Sequence, residues 1–198
     1  SFNYKVRSID LSQAVSVTTL KPMAFYKTAI TEFTITASVT TINGNPFANC
    51  DELETIILEN NDLFTLIDGV LFDYTVKKLI AFPNKAFTGS EYYIPDSVSE
   101  IGEGAFRGVG EGIGAFTGDL RIPFTINTIG ANAFRNTTIN LIFEDAGALR
   151  FVGEFAFESS IWLEQTDDGL IYISSEGFAS SNKALYGVKG EISGAVVI

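Results

Sequence analysis

Ile94-Pro95-Asp96-Ser97-Val98-Ser99-Glu100-Ile101-Gly102-Glu103-Gly104-Ala105-Phe106 sets the pattern of the chain, because its apolar positions return elsewhere at the same internal spacing. An aliphatic residue is followed after two free positions by a second, then after three more by a small residue and Phe. Five stretches fit: Val17/Leu20/Ala24/Phe25, Val39/Ile42/Pro46/Phe47, Val98/Ile101/Ala105/Phe106, Ile126/Ile129/Ala133/Phe134 and Leu149/Val152/Ala156/Phe157. A phenylalanine always five residues after the second aliphatic marks a repeat, whose units are each too short to bury an apolar face alone and must stack.

Ahead of most cores stands a short apolar pair of period two, the signature of a half-buried strand. These pairs are Phe33/Ile35, Ile56/Leu58, Tyr92/Ile94, Leu120/Ile122, Leu141/Phe143, Ile161/Leu163 and Val196/Ile198. Two of the intervals between them are long, and each contains Asp-Gly followed by an apolar run: Asp68-Gly69-Val70-Leu71-Phe72 and Asp168-Gly169-Leu170-Ile171-Tyr172. Further apolar stretches follow, Leu79 to Phe82 and Ala184 to Val188, so each insertion reads as a β-hairpin, about 68–83 and 168–188. Val70 to Phe72 is expected to pair antiparallel with Leu79 to Phe82 and, in the second hairpin, Leu170 to Ile173 with Ala184 to Val188. The expected fold class is an α/β or mostly β solenoid, a right-handed stack of leucine-rich-repeat type. It has a short-stranded parallel sheet and two inserted hairpins. Residues 1–16 are expected to cap it and residues 17–198 to form the stack. Phe25, Phe47, Phe106, Phe134 and Phe157 are expected to line one continuous buried column.

The composition limits function. Thirteen basic against 24 acidic residues give a net charge of −11, which argues against nucleic acid or an anionic membrane surface, since both are held by clustered Lys and Arg. The mean hydropathy is +0.22, yet no apolar run approaches the roughly 18 residues of a membrane helix, so no membrane insertion is expected. Histidine is absent, which removes Ser-His-Asp and Cys-His nucleophiles, His-ligated zinc and the commonest general base. Most hydrolase mechanisms go with it, and carboxylate-only catalysis, as in a glycosidase with two acidic groups, is the enzymatic alternative kept. The single cysteine, Cys50, falls three residues after a repeat Phe, in a column with Thr28, Val109, Thr137 and Ser160. Small residues at that place read as packed inward, and a buried Cys acts as a small hydrophobe. The run Gly108 to Gly114 lacks the order and the lysine of a phosphate loop. Glu59-Asn60-Asn61-Asp62 and Asp167-Asp168-Gly169 lack the ligand ladder of a calcium loop and read as turns. No metal or cofactor is expected.

Strand alternation nominates a surface. With Phe33/Ile35 and their equivalents inward, Thr34, Ile57, Tyr93, Arg121, Ile142, Trp162 and Val197 point outward and should stack into one stripe. Aromatic and Arg residues are enriched in interface anchors. Ile57, Tyr93, Arg121, Ile142 and Trp162 are therefore the candidate binding residues.

Ile94-Pro95 with Val98, Ile101-Gly102 and Ala105-Phe106, and likewise Ile122-Pro123, Ile129-Gly130 and Ala133-Phe134, resemble the unit of the BspA-like leucine-rich repeats. Phe47-Ala48-Asn49-Cys50-Asp51-Glu52-Leu53 is similar to that family's Phe-x-x-Cys-x-x-Leu. Leu149-Val152 departs from the pattern, with no Ile-Pro ahead of it. The resemblance implies an extracellular or bacterial cell-surface protein, adhesin-like, with a host extracellular-matrix or cell-surface protein or a glycan as partner. It implies no shared catalytic residues. The alternative is a spacer or assembly module of a larger surface protein.

Overall fold

The computed structural model describes residues 5–144 and 149–160, and those residues form a mostly β solenoid of stacked coils with no α-helix. The coils of Phe25, Phe47, Phe106 and Phe134 each supply a two-residue strand before the phenylalanine turn and a longer strand after it, and the coil of Phe157 supplies the two-residue strand among the described residues. In chain order these are β1 (Thr19–Leu20) and β2 (Glu32–Thr36), then β3 (Thr41–Ile42) and β4 (Thr55–Glu59). An insertion follows: β5 (Phe64–Ile67), β6 (Val70–Asp73) and β7 (Lys78–Ala81). The stack resumes with β8 (Glu91–Tyr93), β9 (Glu100–Ile101), β10 (Asp119–Ile122), β11 (Thr128–Ile129), β12 (Asn140–Phe143) and β13 (Phe151–Val152). The long strands pair in parallel as β2–β4 and as β8–β10–β12, as the alternating pairs led one to expect. The short strands pair as β1–β3, and as a second row in which β7, β9, β11 and β13 run parallel.

The Ile-Gly of each unit has a steric cause. A Cβ on Gly130 would lie 2.6 Å from the amide nitrogen of Glu103, and one on Gly153 2.3 Å from that of Ala131. Successive coils thus touch backbone to backbone there. The turns that follow carry left-handed residues two before and two after the Phe, as at Asn132 (φ 55°) and Asn136 (φ 56°) around Phe134. Between turns the amides form their own ladder: Phe106 donates to Ala133 O at 2.8 Å and Phe134 to Ala156 O at 2.6 Å.

The first hairpin is present, with β6 and β7 antiparallel as expected. It is one strand larger than the sequence suggested, because Asp68-Gly69 is itself a tight turn, both residues at positive φ, joining β5 to β6 with Ile67 opposite Val70. Both faces of β6 and β7 are buried. Leu71, Ile80 and Ala81 face an N-terminal core with Leu20, Ile30, Phe33, Ile35, Phe47 and Ile56. Val70, Phe72, Leu79 and Phe82 face a C-terminal core running from Tyr92 to Phe157. Unbroken apolar runs such as Val70-Leu71-Phe72 and Leu79-Ile80-Ala81-Phe82 suit strands covered on both sides. The hairpin is a septum.

The phenylalanine column is accordingly in two parts. Phe25 stacks on Phe47 at 5.7 Å, while Phe106 stacks on Phe134 and Phe134 on Phe157, each at 5.2 Å. Four of the five are buried; Phe25 is half-buried because it stands near the end of the stack. Phe82, the last residue of the hairpin, continues the second part, stacked 5.2 Å from Phe106. It serves as the Phe of a shortened coil: Leu79 pairs with Ile101, and Phe82 follows Leu79 after three residues instead of five.

Three buried asparagines fit the insertion into the stack. Phe82 N takes Ala105 O at 2.9 Å, the carbonyl that the coil of Phe47 would otherwise use. The Asn45 side chain compensates, accepting from Phe47 N at 2.8 Å and donating to Gly104 O at 2.9 Å. Asn61 donates to Thr36 O and Val39 O at 2.9 and 2.8 Å where the chain enters β5. Asn84, where it leaves, donates to Glu111 O at 2.6 Å and accepts from Gly110 N at 2.9 Å. Each side chain satisfies buried backbone groups that the broken repeat leaves without a ladder partner. The second expected hairpin, 168–188, and the strands Ile161/Leu163 and Val196/Ile198 lie outside the described residues. At the other end, Val6, Ile9 and Leu11 pack on the N-terminal core.

Candidate functional site

The long strands place their outward residues in register. Thr34 lies opposite Ile57, and Tyr93, Arg121 and Ile142 follow one another across β8, β10 and β12. Tyr93 is 56% exposed and Ile57 38%. Ile142 corrects the expectation of an open stripe: it holds the outward register position but is only 5% exposed, so both faces of β12 are covered at that point. Alternation decides which way a side chain points and is silent about what lies across that face. Ile142 is therefore removed from the exposed set. Trp162 and Val197 lie outside the described residues.

Tyr93 and Arg121 are joined by a residue the sequence reading passed over. Glu91 Oε1 pairs with Arg121 Nε, and Tyr93 OH donates to Glu91 Oε2 at 2.7 Å. The guanidinium of Arg121 sits 5.6 Å from the centre of the Tyr93 ring, within cation–π range. Beside them Asn140 Nδ2 donates to Asp119 Oδ1 at 3.0 Å. Hydrogen bonds from Tyr93 and Arg121 hold the Glu91 carboxyl below its ordinary range. The same bond raises the Tyr93 phenol. The cluster thus orients an aromatic ring and presents charge beside it. The signal for Glu91 was in the sequence: it stands two residues before Tyr93 and so shares its face.

Cys50 is buried, and its column with Thr28, Val109, Thr137 and Ser160 is buried throughout. Cys50 Sγ lies 3.0 Å from Phe25 O, the place Thr137 Oγ1 takes toward Phe106 O at 2.7 Å one core further on. Burial pushes the thiol up, so Cys50 is a packing residue and not a nucleophile. Gly108, Gly110, Gly112 and Gly114 all adopt positive φ in the long loop after Phe106. Asn60 (φ 50°) and the Asn61 side chain make the Glu59 to Asp62 segment a turn. Among the described residues no group of three or more His, Cys, Asp or Glu is placed to hold a metal ion, and no helix is long and apolar enough to cross a membrane.

The family model of the BspA type leucine-rich repeat region matches residues 1–93 and 81–187, in six copies. Three solved structures are similar. A leucine-rich repeat protein from Eubacterium ventriosum is 23% identical with a TM-score of 0.60, over 72% of this chain and 37% of that one. The pneumococcal vaccine antigen PcpA is 22% identical with a TM-score of 0.57, over 66% of this chain and 31% of that one. A leucine rich cell surface protein from Faecalibacterium prausnitzii is 30% identical with a TM-score of 0.52, over 71% of this chain and 34% of that one. The matches thus span only about a third of the length of each of these proteins. No curated protein matches the chain.

Proposed function

The chain belongs to the BspA type leucine-rich repeat family, a family of surface repeat proteins, and from that premise we propose that it is a non-enzymatic cell-surface protein that holds a protein or glycan partner against the outward face of its long strands. One observation carries the reading. Tyr93 is 56% exposed on a strand whose inner neighbours Tyr92 and Ile94 are buried, and Glu91 and Arg121 hold its ring in place. A rigid exposed aromatic loses little conformational freedom when it meets a partner, and Tyr and Arg are the types that concentrate binding energy. The Faecalibacterium protein is a cell surface protein, which supports an extracellular or bacterial cell-surface location for this one.

The test is a binding screen against extracellular-matrix proteins, cell-surface proteins and glycans, repeated with Tyr93→Ala and Ile57→Ala. Tyr93→Ala is expected to weaken a true partner by about thirtyfold, since a central anchor contributes about 2 kcal/mol and each 1.4 kcal/mol is tenfold. The melting temperature should stay within a degree or so, as for exposed substitutions in general. The spacer reading has one observation in its favour: Glu91, Tyr93 and Arg121 satisfy one another. A complete screen without a binder would favour it.

A further inference from the structure

We propose that the partner of this face is cationic: an extended protein segment rich in Lys or Arg, one of whose side chains enters a groove beside Glu59. This rests on the sheet-face reading above and adds the chemistry of the partner. The two sides of the stack differ in basic residues: acids stand on both, among them Glu103, Glu154 and Glu158 in the turns, but the long strands carry almost no Lys or Arg. Glu32, Glu59, Glu91 and Asp119 stand at outward positions on β2, β4, β8 and β10. Among the described residues Arg121 is the only Lys or Arg on a long strand, and it is already paired with Glu91. Lys21, Lys27, Arg107 and Arg135 belong to the turns instead. The ion pairs among the described residues engage Glu52, Glu91, Glu100 and Glu158, and none engages Glu32 or Glu59.

The groove is the second observation. It is open, of about 190 Å³, and lies at the end of this face between Leu11, Val15, Thr36, Ala37, Glu59 and Asn60. That is below the roughly 300 to 1,000 Å³ of small-molecule pockets and suits one side chain. Leu11, Val15 (78% exposed) and Ala37 offer apolar walls, and Glu59 adds a carboxylate beside them. An apolar wall next to a carboxylate matches the methylene stem and charged head of Lys or Arg. Sulfated glycans and anionic lipids would meet repulsion here, and neutral glycans could donate hydroxyls to the carboxylates but would gain no charge attraction from them.

The experiment is fluorescence anisotropy with labelled heptalysine, and with heptaglutamate for comparison. Heptalysine should bind, and weaken at least tenfold between about 0.05 and 0.5 M salt as the Debye length contracts. Glu59→Lys should weaken it by about tenfold and Glu59→Gln by about threefold, through loss of charge complementarity at an exposed site. Glu154→Lys, on the turn side, should leave it unchanged, with all three variants melting as the parent does. Absence of heptalysine binding, or an equal effect of Glu154→Lys, overturns the proposal. A partner from the screen that is lost with Tyr93→Ala but ignores Glu59→Lys and added heptalysine also overturns it, and leaves the sheet-face reading standing. A partner indifferent to Tyr93→Ala and Ile57→Ala removes both.

Discussion

Phe82→Ala is the sharpest test of the septum, because the side chain looks peripheral in sequence and central in the structure. Phe82 is buried and meets Phe106 and Tyr92 at 5.2 Å and Phe116 at 5.4 Å between ring centres. Truncating a buried Phe costs about 3 to 5 kcal/mol, made up of lost transfer energy and the cavity left behind. Three aromatic neighbours at these distances place Phe82 toward the upper end, since such pairs add about 0.5 to 1.5 kcal/mol each beyond area. At about 2 to 4 °C per kcal/mol for a chain of this size, the melting temperature should fall by roughly 6 to 20 °C. Urea unfolding followed by far-UV circular dichroism gives the same quantity as a midpoint shift. Phe151→Ala is the comparison, the same truncation at a residue 56% exposed, where a cost under about 1 kcal/mol is expected. If Phe82→Ala falls no further than Phe151→Ala, Phe82 is not the phenylalanine of a shortened coil and the two-core description is wrong.

Gly130→Ala should cost about 1 to 3 kcal/mol although its φ is ordinary, because the new methyl must push apart two coils that touch through Glu103 and Gly102 backbone; a neutral result in a urea melt would remove the close-approach explanation. Asp73 accepts from Lys77 N at 2.8 Å and Lys78 N at 2.6 Å in the hairpin turn. Burial alone would raise its carboxyl, but the hydrogen bonds from Thr75, Lys78 and Lys77 outweigh burial and hold it below the ordinary range. A carboxyl with a depressed folded pKa contributes stability that is present above its unfolded value, about 3.9, and is lost as pH falls through the folded one. The stability difference between the parent and Asp73→Asn should therefore be constant at neutral pH and shrink below about pH 4. Cys50 should resist iodoacetamide at pH 8 in the folded protein and react on unfolding, because burial raises its thiol. Cys50→Thr should be tolerated within about 1 kcal/mol, since Thr137 makes the equivalent bond to Phe106 O.

The stacked coils were legible because they follow from periodicity alone: an apolar pair two apart, then aliphatics and Phe at fixed offsets, place Phe33, Ile56, Leu120, Ile129 and Phe134 inside before any coordinate is known. The hairpin was half legible. Its β6–β7 pairing follows from two apolar runs around a polar turn, but Asp68-Gly69 marks a second turn, so β5 escaped notice. The shortened coil was hidden because Phe82 breaks the five-residue rule while keeping the spatial place. On the surface, period two gave the registers of Tyr93 and Arg121 correctly. It overlooked Glu91, since a stripe chosen for aromatic and apolar anchors ignores the carboxylate beside them. Ile142 failed for a different reason: burial depends on the whole chain, and a period is local.

The septum also bears on how the face works. β2 and β4 form one sheet backed by the N-terminal core, and β8, β10 and β12 another backed by the C-terminal core, with β5 to β7 between. Ile57 and the groove beside Glu59 therefore sit on one panel, and Tyr93 with Glu91 and Arg121 on the other. Repeat proteins draw stability from intrinsic and nearest-neighbour terms, so each panel keeps its rigidity from its own side of the hairpin. A partner that engages both would have to span two separate sheets, and a small compact ligand would find only one. Under the proposal of a cationic partner, an extended segment running from Tyr93 toward Glu59 would use both panels, whereas the hairpin, paired with β9 in the row of short strands, divides the core behind them.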